Sequence, residues 1–202
     1  MKITKYSLGQ LNTNCYILEK NNSCLIIDPA DEASFILEEL QVKKLKPLAI
    51  LATHGHFDHV VAVGELQMSF NIPLYIFKKD TFLLKKINKT HKYFLGFSPN
   101  AISPKNIKYL KKGNMKIKDF EFKVMKTPGH TPGGCCFYFK KESLVFTGDT
   151  LFKQGIGRYD FSYCSYHDLK TSLKKLLKLP KNTIIYPGHG EESSIEMEKS
   201  II

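Results

Sequence analysis

Residues 53–59 read Thr-His-Gly-His-Phe-Asp-His and follow an apolar run, residues 47–52, that predicts a buried strand. Three imidazoles and one carboxylate lie within the six positions 54–59. Burying such a group in an apolar core is unfavourable, because its members would be desolvated or, when protonated, would repel one another. A loop at the end of a strand can instead turn these side chains toward a common centre. The stretch therefore indicates a metal site rather than a solvated histidine cluster.

Three further ligand candidates follow along the chain, each beside glycine at the end of a predicted strand. Glycine lets the backbone come close to a bound centre. The complete candidate set is His54, His56, Asp58, His59, His130, Asp149 and His189. Seven ligands are too many for one tetrahedral zinc ion and fit two metal ions that share a bridge. The two remaining histidines, His91 and His167, lack this context, and we expect both at the surface.

Strands dominate both halves of the chain, with helices between them. Apolar residues at helical spacing predict helices over residues 31–44, from 58 or 59 to 70, over 79–88 and over 165–179. No repeat of fixed period and no low-complexity linker divides the chain. We therefore expect one α/β domain over residues 1–202, made of two strand-rich halves.

The composition is that of a globular protein, with 43% hydrophobic and 24% charged residues, which excludes general disorder. Five cysteines without a C-x-x-C pair, and an N-terminus without the apolar core of a signal peptide, predict a reducing, cytoplasmic location. No apolar stretch approaches the roughly 18 to 20 residues that span a bilayer. We expect a soluble protein that does not associate with membranes.

The net charge of +11 is confined to one segment. Residues 78–126 contain 14 lysines against Asp80, Asp119 and Glu121, whereas the rest of the chain is balanced. This lysine-rich segment holds none of the seven ligand candidates, so we interpret it first as a solvated face. The alternative is that it attracts anionic substrates to a nearby site. Arg158 is the only arginine, although phosphate-binding sites favour arginine, and we do not expect a nucleic-acid partner.

The ordered motif set, H-x-H-x-D-H at 54–59 followed by His130, Asp149 and His189, resembles that of the metallo-β-lactamase superfamily. The resemblance extends over almost the whole chain. It implies a four-layer αββα sandwich with two metal ions at one edge, between the sheets. It also implies that His54, His56 and His130 hold the first metal, that Asp58, His59 and His189 hold the second, and that Asp149 bridges both.

Segments around the ligands are similar to glyoxalase II, the hydroxyacylglutathione hydrolases, and in particular to their short relatives. These segments are residues 11–16, 26–29, 148–152 and 155–158. The resemblance implies that Arg158 helps to place the thiol part of a small-molecule thioester. Only 13 residues follow His189, so we expect the chain to lack the helical C-terminal domain of the longer enzymes.

The resemblance also implies a mechanism. Two divalent ions, zinc first and iron or manganese as alternatives, would share a hydroxide whose pKa falls from about 15.7 toward about 7. Asp58 and Asp149 would take part in this catalytic site. The hydroxide would attack the thioester carbonyl, and the thiolate, with a thiol pKa of about 8.5, would leave without a strong general acid.

Three other functions remain open on the sequence. A mononuclear iron persulfide dioxygenase has a very similar motif set and uses only His54, His130 and Asp149 as ligands. A nuclease of the same fold would account for the positive charge, but residues 148–152 and 155–158 argue against it. A non-catalytic binding module is the third, although every ligand position is filled.

Overall fold

Two six-stranded β-sheets pack face to face in the computed structural model, which describes residues 1–201. The first sheet has the strand order β1-β2-β3-β4-β5-β6. Its strands are β1 (Lys2–Leu8), β2 (Thr13–Lys20), β3 (Ser23–Ile27), β4 (Lys46–Leu51), β5 (Leu74–Ile76) and β6 (Ile107–Tyr109). Strands β1 to β3 form an antiparallel meander, and β3 to β6 run parallel. Asn21 and Asn22 form the β2–β3 turn, and both have the positive φ that a two-residue hairpin requires.

The second sheet has the order β14-β13-β10-β9-β8-β7. Its strands are β7 (Gly113–Ile117), β8 (Phe120–Lys126), β9 (Cys135–Phe139), β10 (Leu144–Gly148), β13 (Ile184–Pro187) and β14 (Ser193–Ser194). A separate small hairpin joins β11 (Leu151–Phe152) to β12 (Gly155–Ile156). Strands β10 and β13 pair in parallel. The loops that follow these two strands therefore meet at one edge of the sheet.

Six α-helices lie within residues 1–201, on the outer faces of the sheets and around the edge where the strands end. They are α1 (Ala33–Val42), α2 (Phe57–Val60), α3 (Val63–Phe70), α4 (Thr81–Leu84), α5 (Ile87–Leu95) and α6 (Tyr166–Leu176). Ser165 caps α6, since its Oγ accepts a hydrogen bond from the Asp168 backbone N–H at 3.2 Å. In the part of the chain described, every helix is too short or too polar to cross a bilayer.

Alternation along the strands builds three apolar layers. In β2, Leu18 packs between the two sheets and Ile17 packs against the helices of the first half. In β9, Phe137 lies between the sheets and Tyr138 faces α6. Since successive side chains of a strand point to opposite faces, each sheet is covered on both sides. The predicted four-layer αββα sandwich is confirmed.

Three local predictions from the sequence were wrong. The helix expected up to residue 70 is divided into α2 and α3, and the helix expected over residues 79–88 is a 3-10 turn plus α4, followed by α5. His91, expected at the surface, is buried, and its Nδ1 donates to the Phe97 carbonyl at 2.8 Å. The aromatic packing of this histidine between Phe57 and Phe97 accounts for the burial. His167 is exposed, as predicted.

Candidate metal centre

The loop after β4 delivers four of the seven ligand candidates. His54 and His56 lie in the loop itself, whereas Asp58 and His59 belong to the first turn of α2. The parallel arrangement of β3 and β4 directs their carboxyl ends to the same edge of the first sheet. The centre therefore forms where strand ends of both sheets meet.

Three imidazoles converge on one side of this edge. His54 Nε2 lies 3.0 Å from His56 Nδ1, and His130 Nε2 lies 2.9 Å from the same nitrogen. Nitrogen ligands about 2.0 to 2.1 Å from a tetrahedral zinc ion would lie about 3.4 Å from one another. This first cluster is thus compact enough to hold one cation.

A second cluster adjoins the first. Asp58 Oδ2 lies 3.5 Å from His59 Nε2 and 3.3 Å from His189 Nε2. Asp149 lies between the clusters: its Oδ2 is 3.5 Å from His130 Nε2 and 3.6 Å from His189 Nε2, and its Oδ1 is 3.4 Å from His59 Nε2. All seven candidates from the sequence are therefore brought together.

Each histidine of the centre hydrogen-bonds to a protein oxygen through the ring nitrogen that faces away from the clusters. The pairs are His54 Nδ1 with Thr53 Oγ1, His56 Nε2 with the Tyr163 hydroxyl, His59 Nδ1 with Asp28 Oδ2, His130 Nδ1 with the Arg158 carbonyl, and His189 Nδ1 with the Leu11 carbonyl. If the outward nitrogen carries the hydrogen, the inward nitrogen keeps its lone pair. Metal-binding histidines are oriented in this way.

Asp28 is central to this outer layer, although the sequence indicated it only as part of the family-like segment 26–29. Its Oδ1 accepts the Thr53 N–H at 2.7 Å, and its Oδ2 accepts the Thr53 hydroxyl at 2.6 Å and faces His59 Nδ1 at 3.0 Å. One buried carboxylate thus fixes both the start of the 53–59 loop and the ring of His59.

The electrostatics of the centre favour a cation. Burial and the neighbouring imidazoles lower the pKa of His56 to about 3 and that of His54 well below its usual value. Burial also opposes charge at His59, but three surrounding carboxylates outweigh it and raise the pKa of that ring. Positive charge is therefore stabilised beside the carboxylates, where the histidine and aspartate donors of a metal site would place it.

Two buried atoms give an independent test of the metal fit. Within residues 1–201, His59 Nε2 and Asp149 Oδ1 have no hydrogen-bond partner, although they lie only 3.4 Å apart. Buried polar atoms without a partner are rare, because each loses its hydration without compensation. A shared cation would satisfy both, so the donor set fits a metal centre.

Two positions beside the ligands require glycine, because atoms of neighbouring segments approach the backbone there too closely for a Cβ. A Cβ on Gly188 would lie 2.2 Å from Asp149 Oδ1 and 2.8 Å from His59 Cε1. Gly129 has a φ of 139°, and a Cβ there would lie 2.3 Å from the Leu169 Cα of helix α6. The glycines noted in the sequence thus let neighbouring segments approach the ligand loops.

Asp80 joins two ligand loops, and nothing in the sequence pointed to it. It is fully buried, and its carboxylate accepts the Gly55 N–H at 3.1 Å, the Thr131 hydroxyl at 2.7 Å and the Gly133 N–H at 2.6 Å. Burial raises the pKa of this carboxyl in spite of these bonds. This one side chain therefore fixes the position of the 53–59 loop relative to the loop around His130.

The segment 11–16 connects the two sheets at the edge of the centre. The Asn14 N–H donates to the Gly188 carbonyl at 2.8 Å, and the Tyr16 hydroxyl donates to the Pro187 carbonyl at 2.6 Å. The Thr13 hydroxyl donates to Asp58 Oδ2 at 3.0 Å. This family-like segment therefore positions the loop of His189 and one candidate ligand.

A cavity of about 250 Å³ opens directly onto the centre. Arg158 lines it, but both Nε and Nη2 donate to the carboxylate of Asp160 at 2.7 Å, and the guanidinium lies 4.1 Å from the Phe161 ring centroid. The hydrogen bonds from Arg158 lower the pKa of Asp160 to about 2. The arginine is thus at the site, as the sequence suggested, with an ion-pair partner that the sequence did not reveal.

The lysine-rich segment, residues 78–126, forms part of the same cavity. Thirteen of its 14 lysines are exposed, with Lys126 half-buried, as expected for a solvated face. Yet α4 and α5 of this segment supply Leu83, Thr90 and Phe94 to the cavity lining. The lysines of this segment are therefore solvated, while its apolar and hydroxyl side chains line the cavity.

Known proteins resemble this chain over nearly its whole length. The family model described as Metallo-beta-lactamase superfamily matches residues 8–189. A probable metallo-hydrolase, YqgX of Bacillus subtilis, is 35% identical, and hydroxyacylglutathione hydrolase GloC of Haemophilus influenzae is 34% identical. Each match covers 98% of this chain and 95% of the relative.

Three solved structures also resemble this chain over most of its length. TTHA1623 in a di-iron-bound form is 36% identical with a TM-score of 0.90, and covers 98% of both chains. BLEG-1 B3 metallo-beta-lactamase is 35% identical with a TM-score of 0.90, over 98% of this chain and 96% of that one. ETHE1 from Myxococcus xanthus is 26% identical with a TM-score of 0.76, over 99% and 82%.

Proposed function

The chain belongs to the metallo-β-lactamase superfamily, and from this membership we propose that it is a binuclear metallohydrolase that cleaves thioesters of glutathione or a related thiol. The observation that carries the proposal is the convergence of a three-histidine cluster and an aspartate–histidine cluster around Asp149. The thioester specificity is supported by the similarity to a relative named hydroxyacylglutathione hydrolase, which covers almost all of both chains.

The ligand set of the proposal follows the two clusters. His54, His56 and His130 would hold the first ion, and Asp58, His59 and His189 would hold the second. Asp149, whose carboxylate lies beside both clusters, would be shared between them. A relative of known structure with 36% identity binds two irons, which supports occupancy by a pair of ions. Zinc fits the nitrogen and carboxylate donors, and iron or manganese fit them as well.

Two bound divalent ions supply a nucleophile at neutral pH, by lowering the pKa of water from about 15.7 toward about 7, and polarise a carbonyl. The residues of the chain hold the geometry for this chemistry. Asp28 and Thr53 keep the ring of His59 in one orientation, and the Tyr163 hydroxyl does the same for His56 at 2.8 Å. The cavity admits the substrate beside Asp58 and Asp149.

The leaving group is consistent with the residues at the centre. All five histidines there have one ring nitrogen on a protein oxygen and the other facing a cluster, so none is left to act as a general acid. A thiol has a pKa of about 8.5, and its anion leaves without being protonated by a strong acid. A thioester is therefore compatible with a site whose histidines supply no general acid.

The test combines metal analysis with a substrate panel. Purified protein is expected to contain close to two metal ions per chain and to release thiol from S-lactoylglutathione in a colorimetric assay. A penicillin is included in the panel because one similar structure is a B3 metallo-beta-lactamase. His56→Ala is expected to lose metal and at least about 100-fold of kcat/KM, whereas the exposed His167→Ala retains both.

Two outcomes would contradict the proposal. One is that metal-replete protein hydrolyses no thioester while His56→Ala and wild type bind metal equally. The other is one iron per chain together with oxygen uptake on glutathione persulfide, the behaviour of a mononuclear persulfide dioxygenase.

A further inference from the structure

Aromatic side chains form a continuous surface beside the metal centre. Phe94 of α5 stacks on Phe57 with ring centroids 5.9 Å apart and an interplanar angle of 14°. Phe94 also meets Phe161 edge-on at 6.0 Å, and Phe161 lies 5.4 Å from Tyr163. We call Phe57, Phe94, Phe161 and Tyr163 the aromatic wall.

The aromatic wall contacts the candidate ligand His56 directly. The ring of Phe161 lies 5.7 Å from that of His56, and the Tyr163 hydroxyl lies 2.8 Å from His56 Nε2. The cavity bounded by the wall, with Leu11 and Leu83, measures about 250 Å³. An apolar cavity of about 150 Å³ is sufficient to bind benzene. A ring held here would be only a few bonds from the reacting carbonyl.

The charges decide which end of a thioester enters this cavity. Arg158 is the only permanently cationic side chain among the cavity-lining residues, and its guanidinium is paired with Asp160. Glutathione carries carboxylates and an ammonium, and burying them against aromatic rings without partners is unfavourable. The exposed Lys86, Lys89 and Lys92, at the start of α5 and along it, offer a solvated anionic thiol a better environment outside the cavity. The group that enters the apolar cavity must therefore be the acyl group of the substrate.

We propose that the aromatic wall binds the acyl group of the substrate and selects thioesters whose acyl carbon carries a large apolar or aromatic substituent. This inference rests on the proposed thioesterase function and names its substrate class. Phe94 and Phe161 are the specificity-determining residues, since both rings line the cavity and neither is among the candidate ligands.

The kinetic test compares two substrates that differ only in a phenyl in place of a methyl group, S-mandeloylglutathione and S-lactoylglutathione. Wild type is expected to favour the mandeloyl ester at least about 10-fold in kcat/KM, because burial of a phenyl group discriminates on this scale. Phe94→Ala is expected to lower the mandeloyl-to-lactoyl ratio about 5- to 10-fold. Tyr109→Ala, which removes an exposed aromatic ring of β6 outside the cavity, leaves the ratio unchanged.

A binding measurement keeps the inference testable without turnover. In isothermal titration calorimetry, mandelate is expected to bind wild type about 10-fold more tightly than lactate, and Phe94→Ala to remove most of this difference. Phe161→Ala serves as a second variant if Phe94→Ala fails to fold. S-methylglutathione, which probes the thiol side, should bind wild type and Phe94→Ala alike.

The outcomes separate this inference from the proposed function. If no thioester is hydrolysed but mandelate binding depends on Phe94, the proposed function fails and the aromatic wall is still a site for apolar carboxylates. If both esters are hydrolysed with equal kcat/KM, or if both wall variants leave the ratio unchanged, the inference is overturned. It is also overturned if Phe94→Ala weakens S-methylglutathione binding rather than mandelate binding.

Discussion

Single side chains outside the ligand set determine the orientation of the ligands. Asp28 and Tyr163 contact one ring nitrogen each of His59 and His56, at 3.0 and 2.8 Å. Such outer contacts commonly contribute about 10- to 100-fold to metal affinity, because they hold the ring and its tautomer in place. The properties of this centre therefore depend on residues outside the set of seven ligand candidates.

Asp80 provides the clearest prediction at this scale. Asp80→Ala leaves the Gly55 N–H, the Gly133 N–H and the Thr131 hydroxyl buried without their acceptor. We expect the free energy of unfolding to fall by about 3 kcal/mol or more, since each buried unsatisfied group costs about 1 to 3 kcal/mol. Urea unfolding measures the loss, and zinc affinity should fall about 10-fold or more because two ligand loops lose their connection.

The matched control is Glu65→Ala, which removes an exposed carboxylate of α3 and should stay within about 0.5 kcal/mol of wild type. A similarly small change for Asp80→Ala would mean that the two loops do not depend on this carboxylate.

Helix α5 shows how one element serves both the surface and the site. Its buried residues Ile87 and His91 pack inward, Phe94 faces the cavity, and Lys89 and Lys92 are exposed. An amphipathic helix of nine residues thus carries part of the charge excess to the entrance of the cavity. Both interpretations of the lysine-rich segment, a solvated face and the attraction of anionic substrates, therefore apply to helix α5.

Electrostatic attraction by this helix predicts a salt effect. For an anionic glutathione thioester, kcat/KM of wild type should fall as the salt concentration rises, because attraction between exposed charges is screened. Lys86→Glu/Lys89→Glu should lower kcat/KM at low salt about 5- to 10-fold and flatten the salt dependence. Stopped-flow or steady-state kinetics from about 10 to 500 mM salt measures this.

Lys123→Glu/Lys178→Glu is the control, since it makes the same change in net charge with exposed lysines of β8 and of the segment after α6, away from α5. If wild type shows no salt dependence, or if both double variants behave alike, Lys86 and Lys89 act only as a solvated surface.

At the scale of the whole molecule, the centre joins the two sheets. The strand ends of the first sheet supply His54, His56 and His59, and those of the second supply His130, Asp149 and His189. A ligand that binds only the folded state stabilises it, because unfolding requires its release. Metal binding should therefore stabilise the sandwich as a unit.

Metal removal tests this coupling. Zinc at about 100 times its Kd should add about 2.7 kcal/mol to the free energy of unfolding, or about 5 to 10 °C in Tm for a chain of this size. Calorimetry before and after chelation measures the shift. Asp149→Asn should show a much smaller shift and His167→Ala the full one; an equal Tm with and without zinc in wild type would contradict the binuclear site.

Much of the fold could be predicted because its signals are local. The apolar run 47–52 predicted β4, and apolar residues at helical spacing predicted α1 and α6 to within a few residues. The interruption between α2 and α3 and the burial of His91 could not be predicted, because both depend on neighbours that are distant in sequence, such as Phe57 for His91. Secondary-structure propensity depends on neighbours in sequence and gives no information about such contacts.

The candidate site divides in the same way. The chain alone indicates the histidines and aspartates at its strand ends, since a dense polar group directly after an apolar strand is costly to bury unless a cation holds it together. Only the folded molecule reveals Asp28 and Asp80 behind the ligand loops, the pairing of Arg158 with Asp160, and the aromatic wall. Those features join groups from separate strands, helices and loops, and their energies depend on distance and burial, which arise only when the two sheets pack together.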